Sequence, residues 1–184
     1  MQFKQIIALA LAGTAIASPI QAVVDAVGAA PDLAVITGAF TAVEGALNAL
    51  DTSIKALATG AGDAATKEVV SKSNAVKTAL DDGATKIGAA GSVSITEALT
   101  VQGASTKLTS LTGTVITDLI GKKDIIVAAK QQKTTLESLN AQKASAEAFV
   151  KAITGKVPAG VQSIAAAASK SVGDSISKGI TAFS

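Results

Sequence analysis

The chain contains no cysteine, histidine, tryptophan or tyrosine, and every one of its 16 basic residues is lysine. Each absence closes a class of chemistry. Without His or Cys there is no Ser-His-Asp triad, no thiol nucleophile and no zinc site built on imidazole or thiolate. The only aromatics are 4 Phe, too few for a platform that stacks bases or sugars. Without Arg there is no bidentate guanidinium for phosphate or base edges. Charged residues are scarce, 16% of 184, and the formal net charge is +2. That margin, spread along the chain, argues against nucleic acid as a partner. No catalytic group, metal or cofactor is expected.

What is present is small and apolar. The hydrophobic fraction of 48% is swollen by alanine, the commonest residue. The length suits one domain with a sizeable core. Residues 1–17 have the order of a secretory signal peptide: Lys4, an apolar stretch from Ile6, then Ala15-Ile16-Ala17 as a cleavage pattern before Ser18-Pro19. The stretch is too short to span a bilayer comfortably. The expected organisation is therefore a signal peptide over 1–17 and one helical-bundle domain over 18–184, secreted and extracellular. No other run is read as a transmembrane span. The C-terminus lacks a GPI-type apolar tail, and Asn48, Asn74 and Asn140 begin no N-x-S/T sequon. A secreted domain without disulfides must be held by packing alone.

The hydrophobic spacing is helical throughout. Leu33, Ile36, Phe40, Val43, Leu47, Leu50, Ile54 and Leu57 follow at alternating steps of 3 and 4, a stripe that no strand produces. It predicts a helix over about 32–59, closed by Gly60-Ala61-Gly62. A second, over 63–88, starts at Asp63 and carries Val69, Val76, Leu80 and Ile87, with Ser73 and Gly83 in the slots between. Ser94 and Glu97 form a capping-box pattern that opens a third over 94–121. A fourth is expected over 127–154, with Ala129, Leu136, Leu139, Ala146, Val150 and Ile153 inward and Phe149 beside them. Lys156-Val157-Pro158 breaks the pattern before a fifth over 159–182. Residues 19–30 could form a short leading helix. The fold expected is all-α, an antiparallel bundle of about five long amphipathic helices with short connections.

Few motifs carry chemistry. Ser175-Ile-Ser-Lys178 matches S-x-x-K, but without the companion motifs of serine–lysine hydrolases. Asp81-Asp82 are adjacent, so they diverge by about 100° on a helix and make no cation site. Lys122-Lys123 reads as a polar turn, with attraction to acidic surfaces or lipid headgroups as the alternative. The apolar faces themselves remain. They mix large side chains with Ala, Gly, Ser and Thr, and an imperfectly filled space between long helices can lodge an acyl chain. The outer faces are poor in charge and resist an oily surface weakly.

Several features together resemble one fungal family: a signal-peptide pattern ending near Ala17-Ser18-Pro19, the absence of Cys, Gly121-Lys122-Lys123 before the penultimate long helix, Lys156-Val157-Pro158 before the last, and the closing Ile180-Thr181-Ala182-Phe183. The chain is similar to the hydrophobic surface binding protein A family, which includes the cell-wall galactomannoproteins. The resemblance implies a secreted or wall-associated helical protein without catalysis. It further implies adsorption to hydrophobic surfaces, recruitment of a secreted polyester hydrolase as partner, and, in related galactomannoproteins, fatty acids held in a cavity of the bundle. No long Ser/Thr-rich stalk is present, which favours a soluble form over covalent wall attachment.

Two mechanisms use the same faces. Adsorption, the first expectation, needs exposed apolar surface. Sequestration of a fatty acid needs a closed cavity, lined on this reading by Phe40, Val43, Leu47, Val115, Leu119, Leu136, Leu139, Phe149 and Ile153. A sixteen-carbon chain about 20 Å long would lie lengthwise within helices of roughly 40 Å. A purely structural wall protein is the third possibility.

Overall fold

The computed structural model describes residues 31–60 and 63–184. The expectations for residues 1–17 and 19–30 lie outside the described residues. Six α-helices follow: α1 (Pro31–Ala56), α2 (Asp63–Ala89), α3 (Ile95–Gly121), α4 (Lys123–Ala128), α5 (Gln132–Thr154) and α6 (Gln162–Phe183), the last preceded by a 3-10 turn over Ala159–Val161. The bundle is all-α, as the spacing predicts.

Local chemistry sets most boundaries. The capping box is formed: Ser94 Oγ accepts the Glu97 N–H at 3.3 Å, and Glu97 Oε2 accepts the Ser94 N–H at 2.8 Å. Gly60, at φ 82°, supplies the left-handed residue after α1. Lys122 Nζ donates to the Leu57 carbonyl at 2.6 Å, tying the lower end of α3 to the end of α1. The ammonium thus satisfies an orphan carbonyl beyond a helix C-terminus. The turn lysine expected at 122 has a structural partner.

The fourth predicted helix is corrected. Residues 123–128 form their own short helix, and α5 begins only at Gln132. Lys130 between them has φ 58°. A left-handed residue cannot continue a right-handed helix, and nothing in the hydropathy pattern announces it. Ala129 is consequently no part of the inward face of α5.

The five long helices form a closed ring in the order α1–α2–α5–α6–α3. Consecutive long helices run antiparallel. The ring nevertheless brings three parallel pairs together. Glu44 meets Lys107 and Lys55 meets Asp118 between α1 and α3. Ser73 meets Ser138, and Gly83 faces Phe149, between α2 and α5. Gly113 faces Ser175, and Ile116 faces Gly179, between α3 and α6. The 90–94 connection reaches α3 by crossing the N-terminus of α1, where the Gly91 N–H donates to Asp32 Oδ1 at 2.6 Å. Val93, buried, closes that upper end and its N–H donates to the Lys156 carbonyl. Ile126 of α4 and Phe183 are buried near the lower end.

Ring number matters for the interior. At a usual interaxial spacing of about 9 Å, a regular ring of five places each axis roughly 7.5 Å from the centre, against about 6.5 Å for four. Long side chains must fill that lumen, and the α1 stripe does so: Ile36, Phe40, Val43, Leu47, Leu50, Ile54 and Leu57 are all buried. By length and hydropathy alone the stretch Asp32–Ala56 could cross a membrane, contrary to the sequence expectation that no such run exists. Its stripe instead forms part of the core of the bundle.

Gly83 shows how closely the upper core is packed. A Cβ there would lie 2.6 Å from Phe149 Cε2 and 3.4 Å from the Ala39 Cβ. The Phe149 ring is held edge-to-face on Phe40, with centroids 5.3 Å apart. Helix propensity favours Ala over Gly by about 1 kcal/mol, but overpacking a fixed ring costs roughly 1–3 kcal/mol. Gly83→Ala should therefore lower the melting temperature. Gly45→Ala, where a Cβ meets nothing within 4 Å, should raise it. Thermal melts followed by circular dichroism compare the two.

Candidate functional site

Three spaces succeed one another along α3: an open pocket, whose wall includes the exposed Thr106, Ser110, Ala167 and Ser171, and two small voids within the core. A pocket of about 430 Å³ opens where α3, the end of α5 and the first half of α6 meet; Ala98, Val101, Gln102, Ser105, Thr106, Thr109, Ser110, Ile153, Val157, Val161, Ala167 and Ser171 line it. Below it a void of about 40 Å³ lies among Val43, Val76, Leu80, Leu108, Ala146, Phe149, Val172 and Ile176. Lower still a void of about 20 Å³ lies among Leu50, Val69, Val115, Leu119, Thr135 and Leu139. Leu47, Thr112 and Gln142 line both voids. Each void can hold a water or so, but neither can hold an acyl chain without side chains moving. Of these three spaces only the pocket falls within the roughly 300–1,000 Å³ of ordinary ligand sites.

A larger groove of about 970 Å³ runs along the outside of α1 and α2. It is lined mainly by Ala and Gly and edged by Asp32, Asp82 and Lys86. It is an open furrow between helices rather than part of the interior.

The residues expected to line a cavity divide as follows. Phe40, Val43, Leu47, Val115, Leu119, Leu139, Phe149 and Ile153 are buried in one core. Leu47, Val115, Leu119 and Leu139 line the lower void. Val43, Leu47 and Phe149 line the upper one, and Ile153 is on the floor of the pocket. Phe40 buttresses Phe149. Leu136 stands apart: it is half-buried, packs on the core from the flank and lines none of these three spaces.

Apart from Ser73, the polar members of the core escaped the sequence reading. Thr135, Leu139, Gln142, Ala146, Phe149 and Ile153 are buried along α5 at steps of 4, 3, 4, 3 and 4. This is the true inward stripe, and two of its slots are polar. The signal was the spacing itself, which an apolar count skips. Gln142 Nε2 donates to the Ser73 carbonyl at 3.0 Å and closely to Ser73 Oγ, and Ser73 Oγ also pairs with Ser138 Oγ at 2.8 Å. Thr112 turns its hydroxyl back to the Leu108 carbonyl at 2.9 Å. These bonds offset the desolvation of groups buried beside the voids. Higher on the same α2–α5 seam, a hydrogen bond from Lys77, helped by one with Ser145, holds the Asp81 carboxyl below the usual carboxylate range. Asp81 is a seam residue and not half of an acid pair.

The pocket lining was missed because it is built from Ser, Thr, Gln and Ala, which read as solvated helix surface. The S-x-x-K serine is engaged within its own helix: Ser175 Oγ donates to the Ser171 carbonyl at 2.9 Å. Among the described residues no group of three or more acidic side chains is placed to hold a metal ion.

Comparison with known proteins agrees with this architecture. The family profile described as hydrophobic surface binding protein A matches residues 33–155. Cell wall mannoprotein 1 of Aspergillus flavus is 33% identical over 183 residues, covering 100% of this chain and 63% of that protein. The chain thus spans less than two thirds of that relative's length. Ligand-binding domain 1 of the Penicillium marneffei MP1 protein, solved complexed with arachidonic acids, superposes with a TM-score of 0.79 at 26% identity, covering 83% of this chain and 99% of that one. AFMP4P in complex with palmitic acid shares the fold, with a TM-score of 0.78 at 18% identity, over 83% of this chain and 99% of its own.

Proposed function

The chain belongs to the hydrophobic surface binding protein A family, and we propose that it is a non-catalytic acyl-chain binder, holding the tail of a long-chain fatty acid lengthwise inside the ring. The observation that carries this reading is the order of the pocket and the two voids along α3, from Ala98–Ser110 through Leu108–Thr112 to Thr112–Leu119. From Ser105 in the pocket to Leu119 at the lower void, α3 rises about 21 Å at ~1.5 Å per residue, close to the ~20 Å of an extended sixteen-carbon chain. The tail would part Leu47, Phe149 and Leu139 from their present contacts and join the voids into one channel. Burial is worth about 0.8 kcal/mol per methylene before ordering and opening costs, enough for binding in the micromolar range or tighter. The solved relatives that hold arachidonic or palmitic acid support placing sequestration ahead of adsorption.

The domain reading stays as the sequence suggests: a signal peptide over 1–17, then one bundle exported to the cell exterior. The curated relatives named cell wall mannoprotein support a wall or extracellular setting. Adsorption to hydrophobic surfaces is the second reading, favoured by the family description and by two exposed apolar side chains, Ile95 and Leu99. Recruitment of a polyester hydrolase rests on the family likeness alone.

The test is displacement of a fluorescent fatty acid from delipidated protein. Palmitate should displace it with an apparent Kd of about 1–10 μM or lower. Folded protein that neither takes up the probe nor retains palmitate would overturn the proposal.

A further inference from the structure

Ile95 and Leu99 are the most exposed large apolar side chains among the described residues, at 65% and 59%. They sit at the start of α3. Ile95, Leu99, Gln102, Thr106 and Ser110 follow one another at steps of 4, 3, 4 and 4, so they form one stripe down the helix. The last three of these line the 430 Å³ pocket. The exposed pair is therefore the upward continuation of the pocket wall, raised beyond its rim.

The rim is poor in charge. No charged residue occurs from 98 to 106 on α3, or from 157 to 169 on the opposite side. Two charged residues flank the pair: Glu97, whose carboxylate accepts the Ser94 N–H in the helix cap, and Lys156, whose carbonyl accepts the Val93 N–H. Here an apolar tip, a rim poor in charge and an acyl-sized pocket are continuous.

We propose that Ile95 and Leu99 dock the mouth of the pocket onto a lipid bilayer, so that an acyl chain passes between membrane and bundle without crossing water. The partner is a lipid surface because the patch has the chemistry of the acyl–headgroup boundary: two exposed aliphatic side chains at the mouth of an acyl-sized pocket, continued by an amide and hydroxyls and flanked by one acid and one lysine. This inference rests on the acyl-binding reading above.

The experiment uses the purified protein and the double variant Ile95→Ser, Leu99→Ser. Both side chains are exposed, so the circular dichroism spectrum should not change. The readouts are co-sedimentation with zwitterionic phosphatidylcholine vesicles, the rate of transfer of a fluorescent fatty acid from those vesicles, and the equilibrium affinity for the same fatty acid in solution. The expected result is a tenfold or greater loss of vesicle binding and a similar slowing of transfer, with solution affinity within twofold of the parent. Unchanged transfer and vesicle binding in the variant, with fatty-acid affinity intact, would overturn the docking role and leave the acyl-binding reading standing. A parent protein that binds vesicles but no fatty acid would overturn that reading and with it the delivery role. A parent dimer that the double substitution dissolves would assign the patch to a second copy of the chain and overturn membrane docking.

Discussion

Leu47→Asp is expected to abolish the cooperative thermal transition and leave the chain largely unfolded. Leu47 lies on the α1 stripe, is 5% exposed and touches both interior voids. A carboxylate placed there would be buried. Its ionisation would cost several kcal/mol, or its protonation would leave a polar group among aliphatic neighbours. Loss of the leucine itself adds about 2–5 kcal/mol. Against a total stability of about 5–15 kcal/mol, the sum removes most of what holds the fold. Leu47→Met keeps volume and should cost less than about 1.5 kcal/mol. Circular dichroism and chemical denaturation distinguish the two; a folded Leu47→Asp protein would mean that this part of the ring admits water.

The double variant Thr112→Leu, Gln142→Leu should separate stability from binding. These two polar residues line both voids. Leucine at 112 fills them. Leucine at 142 removes a buried amide, while Ser73 keeps its partner Ser138. Replacing satisfied polar groups by apolar ones of similar shape is close to neutral or stabilising. The melting temperature should stay level or rise. Fatty-acid affinity should fall by tenfold or more, because the tail must then displace two well-packed leucines. An affinity equal to the parent's would place the tail outside the lumen.

These contrasts show what the sequence carried. The α1 stripe was fully legible because large aliphatic residues fill nearly every slot, and from Ile36 to Leu57 each one is buried. Ser73 and Gly83 could be placed on the α2 face for the same reason: their neighbours fix the phase. On α5 the phase slipped. Thr135 and Gln142 occupy core slots, and reading only apolar residues moved the inward face toward Leu136 and Val150, which flank it. The helix break at Lys130 is a backbone event, φ 58°, with no Gly or Pro to mark it. Ring order was equally hidden. Short loops show that consecutive helices reverse, but not that α1 would lie between α2 and α3, an arrangement held by packing and by Glu44–Lys107 and Asp118–Lys55 pairs more than sixty residues apart. The pocket could not be read because its Ser, Thr and Gln lining differs in no way from exposed helix surface until α6 is placed against it.

The central claim is that an acyl chain lies inside the ring, along the line from Ser105 to Leu119. Native mass spectrometry of the delipidated protein mixed with palmitic acid tests it most directly, run beside the Thr112→Leu, Gln142→Leu variant. The account predicts a palmitate adduct on the parent that survives transfer to the gas phase and is absent or strongly depleted on the variant. No adduct on the folded parent, or equal adducts on both proteins, would contradict it.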